Sequence, residues 1–231
     1  MLPSSDRPYT TVVLAMSADG KIADAQRSPA RFSSPQDKLH LEQQIAAADA
    51  VLFGAGTLRA YGTTLRVLEP QLVQQRHEQN LAPQPVHIVA SSQGNIDRQL
   101  RFFHQPVPRW LLTTSAGAKQ WQDQEFFAQV LVSETADSKG INWTNAMKKI
   151  ASMGLSHLAV LGGGEVVAAM LGADLIDELW LTICPLLLGG NTAPTPVGGA
   201  GFSAATAPQL ELLSVQKVAQ EVFLHYRRRQ N

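Results

Sequence analysis

The chain has 231 residues, 45% hydrophobic and 16% charged, and its 19 basic and 19 acidic side chains cancel to a formal charge of zero. That balance excludes a largely disordered chain and a globally basic surface for gripping nucleic acid, and the length suits one α/β domain. One cysteine, Cys184, excludes an intrachain disulfide, and neither a signal-peptide core nor a membrane-length apolar run (roughly 18 residues) is present, so a single soluble cytoplasmic domain over residues 1–231 is expected.

Tyr9–Ser17 is rich in β-branched residues and almost continuously apolar, which predicts a central strand covered on both faces. Asp19-Gly20 ends it, and the first reading of Asp-Gly is turn chemistry, with the carboxylate bonding nearby backbone N–H groups. Ser34-Pro35-Gln36-Asp37 supplies a cap, a first-turn proline and an acidic third position. A helix therefore starts there, with Leu41, Ile45 and Ala48 on its apolar face. Ala50–Phe53 reads as the next strand and Gly54-Ala55-Gly56-Thr57 as the turn after it. Residues 62–85 are glutamine-rich and read as a surface excursion with a short helix near Gln71–Gln79.

Val86–Ala90 and Trp110–Thr113 are further strands, Gly117–Gln129 a helix, and Val130–Val132 a strand. Trp143, Met147 and Ile150 line a helix that Gly154 ends. The pattern then repeats as strand His157–Leu161, turn Gly162-Gly163-Gly164, helix Glu165–Leu171 stopped by Gly172, and strand Ile176–Ile183. A glycine- and proline-rich loop from Gly189 to Pro208 leads into two alternating strands, Leu210–Lys217 and Glu221–Tyr226. The fold class is α/β, a mostly parallel central sheet with an antiparallel C-terminal strand pair.

The glycine turns are the most informative features. Each follows an apolar strand and opens a helix, where unpaired N–H groups and the helix dipole favour an anion. Neither matches the dinucleotide fingerprint, since Arg59 and Val167 stand at the third glycine position. Two such turns, one with three consecutive glycines, favour phosphate or dinucleotide binding. The six histidines lack metal-ligand spacing, and neither a nucleophile elbow nor a P-loop occurs. Asp177-Glu178 reads as a solvated strand start, Arg227–Arg229 as a solvated tail, and Cys184 as a buried inert thiol.

Four segments together resemble one family: Leu14–Ala23, Phe53–Ala60, Leu161–Glu165, and Leu175–Leu179 running on to Pro185–Gly190. They are similar to the riboflavin-biosynthesis pyrimidine reductases, the reductase half of the bacterial deaminase–reductase, which share the dihydrofolate reductase fold. The resemblance extends through Ala193–Phe202 and implies NADPH as hydride donor, a small-molecule substrate and a homodimer. It implies cofactor contacts at Ala15, Gly56, Thr57, Tyr61, Ser92 and along Leu161, Gly162, Gly163, Gly164, Glu165 and Val166. Substrate contacts fall on Ser34, Leu65 and Arg66, with Asp19 and Glu165 the candidate catalytic carboxylates.

The departures fall on the substrate side. Ile45 and Leu68 stand where the family usually has arginines, Tyr61-Gly62 where it has an acidic pair, and Leu161 where it often has a glutamate. Isoleucine cannot replace a bidentate guanidinium on a phosphate. Three readings follow: the phosphorylated ribosylaminopyrimidine reductase, a reductase of another small heterocycle or carbonyl compound lacking the phosphate, and a non-catalytic binding protein on the same fold.

Overall fold

A computed structural model describes residues 6–30, 32, 34–121 and 125–229. In chain order the elements are β1 (Tyr9–Ser17), α1 (Pro35–Ala47), β2 (Ala50–Gly54), α2 (Ala55–Tyr61), α3 (Pro70–Glu78), β3 (Val86–Ala90) and a 3₁₀ turn (Arg101–His104). There follow β4 (Arg109–Thr113), α4 (Ser115–Ala118), β5 (Gln129–Val132), α5 (Trp143–Ser152), β6 (His157–Val160), α6 (Gly164–Gly172), β7 (Glu178–Cys184), β8 (Leu210–Val218) and β9 (Glu221–Arg228).

The strands form one nine-stranded sheet in the order β5-β4-β3-β2-β6-β1-β7-β9-β8. The seven strands from β5 to β7 in that order run parallel, and β9 and β8 add antiparallel pairings. This is the expected class, and the nearly continuous apolarity of the central strands has the expected cause. Val51, Phe53, Val89, Leu111 and Ala159 bury one face against Ile45 of α1, Leu58 of α2 and Leu72 of α3. Their alternates Leu52, Ile88, Leu112, Leu158 and Val160 bury the other against Met147 and Ile150 of α5 and Val167 and Met170 of α6.

Ser34 caps α1, its hydroxyl accepting the Asp37 N–H at 3.1 Å, with Pro35 at the first helical position. The expected helix over Gly117–Gln129 shrinks to α4, with residues 122–124 outside the described ones. Gly117 packs so tightly on Ser92 and Gly94 that a Cβ would collide, and Trp121 plugs into Phe103, Phe126 and Phe127. Strand β7 starts two residues later than expected because Leu175 and Ile176 turn into the core. Gly172 is the last residue of α6 rather than its stop, and Asp174 takes the left-handed conformation.

The 62–85 excursion is pinned, not loose. Glu42 accepts the N–H groups of Leu68 and Glu69, and buried Arg76 donates to the carbonyls of Ala46, Ala48 and Ala82. Two surface expectations also fail. Asp177 is forked by Arg7 at 2.7 Å twice and accepts the Thr10 N–H, while Glu178 takes His225 and Arg227. Arg227 and Arg228 are strand residues with acidic partners, Glu178 and Asp174, rather than a solvated tail.

His87 is fully buried, its Nδ1 on Thr64 Oγ1 at 2.9 Å and its Nε2, among the described residues, without a partner. Burial first, then the nearby cations Arg76 and Arg109, push its pKa down to about 3. An unfolded chain binds this proton near its ordinary value of 6.5, so the stability contribution is intact above pH 6.5 and lost as pH falls toward 3. At most this adds about 1.4 kcal/mol of destabilisation per pH unit. Chemical denaturation of His87→Asn between pH 7 and 4 is expected to show a shallower loss of stability than wild type.

Candidate active site

The parallel strands bring their carboxyl ends to one edge, where α/β proteins bind ligands. Strand β6 is inserted between β2 and β1 and stops early, with Val160 opposite Val12. Strand β1 continues for five residues, from Val13 to Ser17, paired only with β7. Among the described residues, the backbone edge of β1 past Val12 on the β6 side, including Ala15, therefore has no strand partner. The chain turns away from that gap through Gly162, at φ +91°, which an L side chain rarely adopts.

The two glycine turns are neighbours because β2 and β6 are. Gly54 N–H donates to Gly162 O at 2.9 Å. A Cβ on Gly54 would lie 3.1 Å from Val166 Cγ2, and one on Gly163 would lie 3.4 Å from Thr57 Oγ1. The Gly162–Gly163 peptide is cis. Gly163 caps α6 with no side-chain hydrogen bond, and although Val166 N–H already donates to Gly163 O at 2.9 Å, the end of the helix still favours an approaching anion. Gly54, Thr57 and Gly162–Val166 thus share one cradle beside the open edge of β1, with Gly56 exposed on the first turn of α2. Ser92 sits at the end of β3, its carbonyl accepting the Thr113 and Thr114 hydroxyls.

The remaining expected residues have visible occupations. Tyr61 closes α2 and donates to Ala30 O at 3.1 Å, tying α2 to the β1–α1 loop. Ser34 donates both its N–H and its hydroxyl to buried Glu221, whose Oε1 also takes the Cys184 thiol at 3.5 Å. Burial and then Glu221 and Asp37 raise the Cys184 pKa to about 12, so the thiol is inert as expected. Leu65 packs against the α1-side core. Arg66 is half-buried and, among the described residues, makes no hydrogen bond or ion pair.

Asp19 differs from its turn reading. It takes the Ser17 hydroxyl at 2.6 Å, but its backbone partners lie 169 and 170 residues away: Leu188 N–H at 3.0 Å and Gly189 N–H at 2.6 Å. These bonds, the Ser17 one largest, lower its pKa to about 2. Glu165 accepts the Gly199 N–H at 3.2 Å. Both carboxylates hold the β7–β8 loop. Sequence reading placed residues 194–199 in the family resemblance and in a candidate dimer interface, not against α6, although Gly198-Gly199 signals the close approach: a Cβ on Gly164 would lie 2.3 Å from Thr195 O. An apolar cavity of about 270 Å³ opens between β1, α6 and this loop, lined by Val12, Leu14, Val167, Pro196 and Phe202.

The sequence model of the RibD C-terminal domain matches residues 8–224. The chain belongs to that family. A 2,5-diamino-6-ribosylamino-4(3H)-pyrimidinone 5′-phosphate reductase of Archaeoglobus fulgidus is 27% identical, covering 85% of this chain and 89% of the relative. One of the same name from Methanothermobacter thermautotrophicus is 27% identical over 95% and 98%. Among solved structures, a pyrimidine reductase-like protein of Corynebacterium diphtheriae superposes with a TM-score of 0.81 at 19% identity, covering 100% of this chain and 96% of that one. Enterococcus faecalis dihydrofolate reductase superposes at 0.51 and 13% identity, over 96% and 97%, which places this RibD-type domain in the dihydrofolate reductase-like fold.

The spacing around the turns gives a direct test of the cradle. Gly164→Ala must push Cβ into a backbone carbonyl and is expected to lose about 1–3 kcal/mol of stability, whereas Gly163→Ala, at ordinary contact distance, is expected to melt within about 0.5 kcal/mol of wild type. Paired thermal melts decide it.

Proposed function

We propose that this chain is an NADPH-dependent reductase of riboflavin biosynthesis acting on the ribose of a ribosylaminopyrimidine 5′-phosphate. One observation carries the reading: two glycine turns packed into a single cradle beside the unpaired edge of β1. The names of the two reductase relatives supply the substrate.

The residues present fit the cofactor. Gly162–Val166 and Thr57 would hold its pyrophosphate, since a Cβ on Gly163 would enter the space beside Thr57 Oγ1. Ala15 would lie along the nicotinamide, with Gly56, Tyr61 and Ser92 nearby. When bound, NADPH supplies the hydride that reduces ribose C1′ in the ring-opened imine. The chain's own part is to orient the two molecules and to exclude water between them.

A second reading, a substrate without the phosphate, is favoured by two positions. Ile45 is completely buried in the core and Leu68 is 55% exposed and uncharged, so neither family arginine has a local replacement at its own site. Arg66, beside substrate-side Leu65, is one cation that could meet a phosphate. We also propose a homodimer through the face of β7, β9 and β8 that α1 does not cover. There Leu212 is 52% and Val215 56% exposed, alongside half-buried Leu181, Ile183, Leu224 and Tyr226.

Absorbance loss of NADPH is the test. Steady turnover is expected with the 5′-phosphate substrate, and Arg66→Ala is expected to raise its KM by about tenfold, the loss of one charge-assisted phosphate contact. Turnover only with the dephosphorylated compound would instead select the second reading. Gly163→Asp is expected to weaken NADPH binding at least about tenfold by like-charge and steric conflict, read by fluorescence titration; unchanged affinity in a folded variant would remove the cradle as the cofactor site. Sedimentation of Val215→Glu is expected to show monomer where the wild-type chain shows dimer.

A further inference from the structure

The two carboxylates with a catalytic candidacy each accept backbone N–H groups of the same segment. At one end, Asp19 takes Leu188 N–H and Gly189 N–H, while Ala18 N–H donates to Leu186 O at 2.9 Å. At the other, Glu165 takes Gly199 N–H and Gly164 O takes Gly198 N–H at 3.0 Å. Between them, Ile22 N–H donates to Pro194 O at 2.9 Å, and Thr195 O sits where a Gly164 side chain would be. Gly189 and Gly199 both have positive φ, +66° and +68°, so the backbone turns sharply where each carboxylate grips it.

We propose that residues 188–199 are a strap joining the cofactor cradle to the β1–α1 loop, with Asp19 and Glu165 as its positioning residues. The cofactor part of this proposal rests on the functional reading above. Its physics is simple. The strap touches the two elements whose relative placement sets the alignment of hydride donor and acceptor: the N-terminus of α6 and the turn after β1. Charge-assisted carboxylate–amide bonds fix both ends in direction as well as distance. Asp19 stays ionised throughout the neutral range, so its latch does not open there. Glu165 lies in the first turn of α6, where a free carboxylate would repel a bound pyrophosphate. Its bond to the neutral Gly199 N–H turns that carboxylate toward the strap and makes the strap part of the cradle. Whatever orders one end lowers the cost of ordering the other, and this coupling is reciprocal.

Amide hydrogen exchange of the full chain tests the strap. In Glu165→Ala, the amides of Leu188 and Gly189, which bond Asp19 and not Glu165, are expected to exchange about tenfold faster. Glu165→Gln, whose carboxamide oxygen still accepts, is expected to restore wild-type exchange. NADPH is expected to slow both amides in wild type, and Glu165→Ala is expected to raise substrate KM more than it lowers kcat. Release of Gly199 alone, with Leu188 and Gly189 unchanged, would overturn the proposal. Should Glu165→Ala not fold, Asp19→Asn read at Gly198 and Gly199 applies the same criterion from the other end. Should NADPH not bind wild type, the cofactor reading falls, while the exchange comparison without cofactor still decides the strap.

Discussion

The insertion of β6 between β1 and β2 is the constraint from which the site follows. It places the triple-glycine turn beside the end of β2 and the start of α2, far away in sequence. Because β6 stops at the level of Val12, it also leaves the last five residues of β1 paired on one side only. A backbone edge and two sets of small residues then face the same space. Had β6 run on beside β1 to Ser17, the pairing would have consumed that edge and the cradle would have no neighbour to work on.

The rest of the molecule maintains this arrangement. Apolar side chains on both faces of the central strands hold β6 in place, which is why those strands read as unbroken hydrophobic runs. The 62–85 segment is fixed to the end of α1 by Arg76 and Glu42, two buried charges whose partners are backbone groups. Such bonds satisfy the groups they bury and fix the path of α3. At the sheet's other side, Glu221 ties the N-cap of α1 to the β8–β9 turn and so anchors the segment that leads from β1. On these supports the glycine cradle keeps its shape, while Ile45 is a core residue and Leu68 an exposed one.

Local chemistry made much of this legible from sequence. Tyr9–Ser17, the Ser34-Pro35 helix start, the Val86–Ala90 strand and the Gly162–Gly164 turn are where their own residues put them, because composition, capping and glycine conformations act over a few positions, whereas the expected Gly54–Thr57 turn is the end of β2 and the first turn of α2. What stayed hidden is what joins distant positions. Asp19 read as a local turn residue, yet its backbone partners are Leu188 and Gly189; nothing within Asp19-Gly20 encodes them. Asp177-Glu178 and Arg227-Arg228 read as solvated charges because neither pair announces that β7 and β9 will lie side by side. Gly117 read as an ordinary helical residue, yet a Cβ there would collide with Thr113 Oγ1, Ser92 O and Gly94 N, and nothing in its own neighbourhood encodes the approach of Ser92 and Gly94.

Titration of the isotope-labelled chain with NADPH alone, followed through its backbone amide resonances, tests the central claim most directly. The account predicts that Gly56 and Thr57 on one turn and Gly162–Val166 on the other move together and saturate at the same concentration. Perturbations confined to another region, such as the groove of about 620 Å³ between α1 and α3, would contradict it.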